Sequence, residues 1–297
     1  MTDITSGAPI ADNLRAQETW ATQVIKFFRT KPLGSIGLVI VLIFIFAAIF
    51  ADWVAPYDPL YISYEHLLGA PSMHHWLGTD DFGRDLLSRI IFGSRTAMAV
   101  GFVASTIGAT LGLFIGVASA YFGGKTDLII QRIVDIFMSF PLIIMALAIV
   151  SIFGTGVTNV ILAITIPMIP RCARVVRSSA LALREVPYVD AARALGFSHW
   201  RIIVRHMMPN VMAPFLIMLT AFMGQAILLE ASLSFLGLGV QEPTPAWGLM
   251  LQGGAEQYAE RAPWIAIFPG LAITVSVFAF NMFGDALRDV LDPKLRV

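Results

Sequence analysis

One cysteine, Cys172, is all that the chain contains, so neither an intrachain disulfide nor a cysteine-cluster metal site can form. Charge is scarce as well. Only 13% of the 297 residues are Asp, Glu, Lys or Arg and 57% are hydrophobic, whereas soluble domains carry roughly 25% charged residues. That composition excludes an ordinary soluble fold and describes an integral membrane protein. Formal net charge is zero, so no basic surplus points to nucleic acid. There is no nucleophile elbow, no H-E-x-x-H and no pair of carboxylates inside an apolar run, which leaves an intramembrane enzyme without support. Gly123-Gly124-Lys125-Thr126 resembles the end of a phosphate-binding loop, but position 119 is Ser where that loop requires Gly. It also joins two apolar runs instead of a strand and a helix, so the chain has no ATPase site of its own. His74 and His75, with His66 nearby, are adjacent on a loop and have no acidic or cysteine partner at helical spacing, so no metal site is assigned to them.

What the sequence does have is long uncharged runs. About 20 apolar residues cross the hydrocarbon core, and residues 33–51 form a first such run behind Lys26, Arg29 and Lys31. A signal peptide shares that pattern, but no small-x-small site precedes Asp52, so the run reads as a retained helix. The preceding residues 1–25 read as a loose tail, with a short amphipathic helix near residues 20–28. Residues 52–95 are polar and rich in turns. Within them Leu86, Leu87, Ile90 and Ile91 oppose Arg84, Asp85 and Arg89, which predicts an interfacial amphipathic helix capped by Asp80 or Asp81.

A second span lies within 96–124, where Gly108, Gly112 and Gly116 recur every four residues and admit a close neighbour. The third begins near Asp127, with Arg132 and Asp135 spaced to pair. Residues 136–170 are too long for one helix and divide at Gly154-Thr155-Gly156 into the rest of the third span and a short fourth, with Pro141, Pro167 and Pro170 expected to bend or break them. Arg171, Arg174, Arg177 and Arg184 follow on a helix leaving the membrane. A fifth span covers about 211–236, a polar, turn-rich segment covers 237–261, and the sixth span is 262–284.

Lys and Arg placement sets the orientation. With the amino terminus in the cytoplasm, Arg84, Arg89, Arg95 and Arg261 lie outside and the other sixteen of the 20 basic residues inside. Six helices with both termini cytoplasmic satisfy this split. Glu230 is the single acidic residue well inside an apolar span, and a charge there is a functional candidate. It could meet the translocation path, a substrate amine or a neighbouring polar group; equally it could be an interfacial carboxylate reached by water or bonded to a partner subunit.

Between the fourth and fifth spans, residues 184–210 carry Arg184, Arg193, Arg201 and Arg205. Pro187 suits the first turn of a helix, because its missing N–H would have had no partner there. Ala191, Ala192 and Ala194 leave that helix with a thin face, and Gly196 stops it in the left-handed conformation. Ser198 can cap a second helix, 199–208, which Pro209 ends.

Asp190-Ala191-Ala192, then Gly196, then Pro209 resemble the EAA loop of ABC importer permeases, with Asp190, His206 and Met208 departing from its usual Glu, Ile and Leu. Resemblance extends from about Phe27 to Arg296. LGTDDFGRDLLSRIIFGSR, YFGGKTDLIIQRIVDIFMSFP, EASLSFLGLGVQEPTPAWGLML and FNMFGDALRDVLDPKLR look like the second ("C") permease subunit of dipeptide and oligopeptide importers of the peptide/nickel group. That resemblance implies an all-α, type I importer fold in the bacterial inner membrane. It also implies a homologous second permease, two ATPase subunits that hold ATP and Mg, and an extracytoplasmic binding protein that delivers the solute. Asp190, Ala191, Ala192, Leu195, Gly196 and Pro209 would then couple transport to an ATPase groove. The layout becomes a cytoplasmic tail, 1–32; a first helix, 33–51; an extracytoplasmic segment, 52–95; a five-helix core, 96–284, with the coupling loop at 184–210; and a cytoplasmic tail, 285–297. Nickel, glutathione and other small solutes remain alternative cargoes. An ion-coupled secondary transporter would need an internal repeat, which is not visible, and a midplane ion site, for which Glu230 alone is a candidate. A structural scaffold would show no substrate-dependent ATPase stimulation.

Overall fold

The computed structural model describes residues 27–291. The tail at 1–25, most of the amphipathic stretch 20–28, and the basic residues Arg15, Lys26, Lys294 and Arg296 lie outside the described residues. Among the described residues there is no strand, only an isolated bridge between Thr79 and Asp85. Five helices are long and apolar enough to cross a membrane, and a bent pair supplies a sixth crossing.

Helix α1, Pro32–Ile49, starts on Pro32 and turns Gly34, Ser35, Gly37 and Val41 inward. A Cβ at Gly34 would lie 2.0 Å from the Ala286 Cβ, and one at Gly37 2.7 Å from the Ala279 carbonyl oxygen, so small residues bring α1 onto the last helix. Helix α2, Leu86–Phe122, has 37 residues, about 55 Å at 1.5 Å per residue. It absorbs both the amphipathic piece and the second span. The expected interfacial helix is therefore corrected: Leu86, Ser88 and Arg89 are all buried, and neither face of this turn lies in water. Its cap is Asp85, whose Oδ2 accepts from the Ser88 N–H at 2.8 Å, in place of Asp80 or Asp81.

The third crossing is broken. Helix α3, Gly124–Met138, meets α4, Leu142–Phe153, at 87°, with Pro141 at the start of α4. Proline disfavours helical geometry in the residue before it, which places the break there. Helix α5, Val157–Arg184, by contrast runs straight through Pro167 and Pro170, both buried. Prolines inside membrane helices are tolerated when neighbouring helices supply the lost interactions, so the expected short fourth span and the helix that carries the arginines are one element, unbroken at either proline. The Gly108, Gly112 and Gly116 stripe lies on α5, and a Cβ at Gly112 would fall 2.5 Å from the Cys172 Cβ and 2.8 Å from the Ile169 carbonyl oxygen. The Arg132–Asp135 pairing is also corrected: Asp135 meets Arg174 of α5.

The loop carries α6, Pro187–Ala194, and after it come α7, Met212–Phe235, α8, Trp247–Gln257, and α9, Trp264–Leu291. Helix α8 falls in the segment expected to be polar and turn-rich. Its Trp247 is fully buried, lies over Gly93 of α2 and donates through Nε1 to the Ile90 carbonyl at 2.9 Å. Two apolar cores result. One joins α2, α4, α5, the loop and α7 through Val117, Met168, Val176, Val189, Ile202 and Met207. The other joins α1, α2, α7, α8 and α9 through Val41, Ala97, Ile227, Trp247 and Phe280. Helices α2 and α7 belong to both, so a displacement of α7 strains both cores.

Candidate functional site: the loop between α5 and α7

Helix α6 is an amphipathic knob two turns long. Val189 and Ala192 face inward and are buried, while Asp190, Ala191, Arg193, Ala194 and Leu195 face out. Asp190 pairs with Arg193, Oδ1 to Nη1, at 3.0 Å. Gly196 has φ 76°. Its N–H donates to the Arg193 carbonyl at 2.9 Å, and the Phe197 N–H donates to the Ala192 carbonyl at 3.1 Å. These two bonds are the paired closure that a left-handed glycine permits at a helix end. Ser198 accepts from the Arg201 N–H through Oγ at 3.3 Å and starts the next helical segment.

That segment does not end at Pro209. The chain passes from His199–Arg201 through a π-helical stretch, Ile202–Met207, and a 3₁₀ turn, Met208–Val211, directly into α7, so the path from His199 to Phe235 is helical throughout. Pro209 sits at the front of the 3₁₀ turn, where its missing N–H breaks nothing. The expected stop is corrected to a change of helical winding. A π-helical insertion of this kind often marks a functional position.

Tyr121, His199, Trp200 and Asn210, which the sequence does not single out, join Arg184 and Arg193 in fixing the knob to the bundle. The Tyr121 hydroxyl at the end of α2 meets His199 Nδ1 at 2.7 Å, and the Arg193 guanidinium lies 4.9 Å from the Tyr121 ring centre. Arg184 donates to the Ala120 carbonyl at 3.3 Å. Trp200 stacks on Phe114, with centroids 6.0 Å apart. Asn210 donates to the His206 carbonyl at 2.6 Å and to the Tyr188 hydroxyl at 3.2 Å. No sequence spacing announces these contacts, because Tyr121 and His199 are 78 residues apart.

The outward face sets exposed apolar groups beside the Asp190–Arg193 pair: Leu195 is 73% exposed and Trp200 65%. Exposed apolar groups grouped on a rigid element mark a contact surface. Glu230 does not join this site. It lies near the far end of α7, enclosed by the chain's own helices, and its Oε1 accepts from the Ser234 hydroxyl at 2.8 Å. Among the described residues no group of histidine, cysteine or carboxylate side chains is placed to hold a metal.

The opposite end of the bundle carries a second charged centre, at the turn whose sequence predicts an interfacial amphipathic helix. Asp80, Arg84 and Arg89 are buried there, and the two arginines bridge Asp80 and Glu242, the latter from the segment after α7. Burial of Arg84 works against its charge, but Asp80 and Glu242 outweigh it and raise its pKa. Asp81, in the same cleft, has its pKa raised by burial and then by Asp80. At the α1–α2 corner the opposite holds: a side-chain hydrogen bond from Arg95 holds the Asp52 carboxyl below its usual value.

Residues 108–297 match a family described as binding-protein-dependent transport system inner membrane component. Residues 19–71 match the N-terminal TM domain of oligopeptide transport permease C. The chain is 41% identical over 296 residues to the dipeptide transport system permease protein DppC of Alkalihalophilus pseudofirmus, covering 100% of this chain and 97% of that one. It is 42% identical over 270 residues to the glutathione transport system permease protein GsiD of Escherichia coli, covering 91% and 89%. A solved structure of the MetNI methionine ABC transporter in an inward-facing conformation superposes with a TM-score of 0.55 at 20% identity, over 68% of this chain and 96% of that chain. At that identity the likeness speaks for the fold alone.

Proposed function

The chain belongs to the family of binding-protein-dependent transport inner membrane components, and from that premise we propose that it passes di- or oligopeptides across the bacterial inner membrane by alternating access. It is an ABC importer permease and works in a complex with a partner permease and ATPase subunits. In our reading the partner permease is a homologous, non-identical chain. Two ATPase subunits bind ATP and Mg, this chain binding neither, and an extracytoplasmic protein delivers the peptide. Both termini and the 184–210 loop face the cytoplasm, as the distribution of arginine favours.

The observation that carries the mechanism is the unbroken helical path from His199 to Phe235 behind an exposed, rigidly closed knob. Asp190, Ala191, Leu195 and their neighbours sit in a groove of an ATPase subunit, and Ala192 and Gly196 keep the knob's shape. When ATP draws the ATPase subunits together, the knob moves with its groove and the α7 path transmits the displacement to the far end of the bundle. Differential contact with the two ATPase states turns attachment into coupling. Pro209 lets the winding change between knob and span.

Glu230 holds a structural carboxyl group in this reading, since its observed partner is Ser234 of the same helix. Reconstituting the complex and measuring ATP-dependent uptake of peptides against glutathione and nickel tests the assignment. Stimulation by peptides alone is expected. Uptake that ignores ATP and collapses with the proton gradient would refute it in favour of a secondary transporter.

A further inference from the structure

The segment between α7 and α8 is pinned at both flanks. On one side the Val240 N–H donates to Ser234 Oγ of α7 at 3.1 Å; on the other, Thr96 Oγ1 of α2 donates to the Pro245 carbonyl at 3.1 Å. Between the two, Glu242 reaches across 153 to 158 residues of sequence and accepts from Arg84 Nη1 at 3.0 Å and Arg89 Nη2 at 3.3 Å. Asp80 takes Arg84 Nε at 2.6 Å and lies 3.5 Å from Arg89 Nε, which has no hydrogen-bond partner. Arg89 donates once more, to the Pro59 carbonyl at 3.3 Å. Two buried guanidinium groups therefore face Asp80 and Glu242, with Asp81 in the same cleft, and the two arginines keep both of their direct carboxylate partners only while Glu242 is in place.

The four members differ in access to water. Arg89 is 1% exposed, and Asp80 and Arg84 are buried, but the Glu242 side chain is 48% exposed and borders a cleft of about 260 Å³. Rehydrating a carboxylate that is already half in solvent costs less than exposing a buried guanidinium, so Glu242 is the member that can leave. Its segment is also the direct continuation of the helical path that begins at the knob.

We propose that Glu242 is a positioning residue of the transport cycle: its carboxylate latches the α7–α8 segment onto the outer end of α2, and the latch releases when the outer face opens. While it is closed, the two arginines are neutralised and the outer end of α2 is held against α7. When it opens, Arg89 loses its second counter-charge, so the open state requires work from the ATPase subunits and the resting complex stays shut. The latch rests on the proposed ATP-driven alternating access and on the direction in which the bundle faces.

Glu242→Gln keeps the side-chain shape and removes the charge. In the assembled transporter with Cys172→Ala and Met250→Cys, which places a reporter on the cleft wall, this change should speed labelling by a membrane-impermeant maleimide without nucleotide. The expected gain is roughly fivefold or more, the lower end of ordinary coupling free energies. ATPase activity without binding protein should rise with it, and Glu242→Asp should restore both. Labelling from each face in turn separates the latch from the orientation, because an inverted bundle changes the reactive side and leaves the Gln effect in place. With Glu242 intact, spin labels at Gln241→Cys and Leu87→Cys should move apart between the nucleotide-free and ATP-trapped states. Unchanged labelling and ATPase in an assembled Gln variant, or a fixed spin–spin distance, would make Glu242 a static brace and overturn the proposal.

Discussion

Replacing Gly196 isolates the contribution of backbone conformation to coupling. The residue sits at φ 76°, and a Cβ built there meets nothing within 4 Å. Side-chain bulk is therefore free, and only the left-handed conformation is at stake. That conformation costs an ordinary L-residue about 1–2 kcal/mol, costs Asn less, and is most strained for a β-branched residue. At 1.4 kcal/mol per factor of ten, Ala should deplete the closed helix end by roughly five- to thirtyfold, and Val by more. With it go the bonds from Gly196 to Arg193 and from Phe197 to Ala192. Peptide uptake per ATP hydrolysed, measured in proteoliposomes, should fall in the order Gly, Asn, Ala, Val. A Val variant that assembles and transports as well as Gly would refute the role of this turn.

Other substitutions probe other links. Gly112→Val pushes a side chain into the Cys172 Cβ and the Ile169 carbonyl oxygen at under 3 Å, and should destabilise the α2–α5 contact by roughly 1–3 kcal/mol, read as a lower melting temperature of the detergent-solubilised protein. Leu195→Glu charges a fully outward position; it should leave that melting temperature unchanged while weakening ATPase subunit retention on purification. Asp81 has a folded-state pKa above its ordinary 3.8, so its neutral form suits the fold, and the associated stability is present below pH 3.8 and lost as pH rises through the folded value. Asp81→Asn should consequently raise thermal stability at pH 7.5, and the gain should vanish towards pH 4; an equal gain at both would refute the cause given.

The hydrophobic crossings were legible because each depends on local composition. Uncharged runs locate α1, α7 and α9, and the four-residue glycine stripe announces a close neighbour that turns out to be α5. Gly196 was legible because its conformation is a property of residue type. Charges misled where their partners were remote. Arg84 and Arg89 read as one face of an interfacial helix because only one of their two counter-charges, Asp80, is close in sequence; Glu242 lies 158 and 153 residues away. The pairing of Asp135 with Arg174 overrides the local spacing to Arg132 for the same reason. Proline was ambiguous. Pro141 breaks a crossing while Pro167, Pro170 and Pro209 do not, since packing around each decides whether the helix continues. Helix α8 was hidden in a polar stretch because its anchor, Trp247, gains a partner only from the carbonyl of Ile90 on α2.

The central claim is that force enters this permease through the exposed knob at 190–195. A photoreactive residue at Leu195 in the assembled complex tests it most directly. The account predicts a crosslink to an ATPase subunit whose yield changes when ATP is bound. A residue that crosslinks only to lipid or to the extracytoplasmic binding protein, with or without nucleotide, would contradict it.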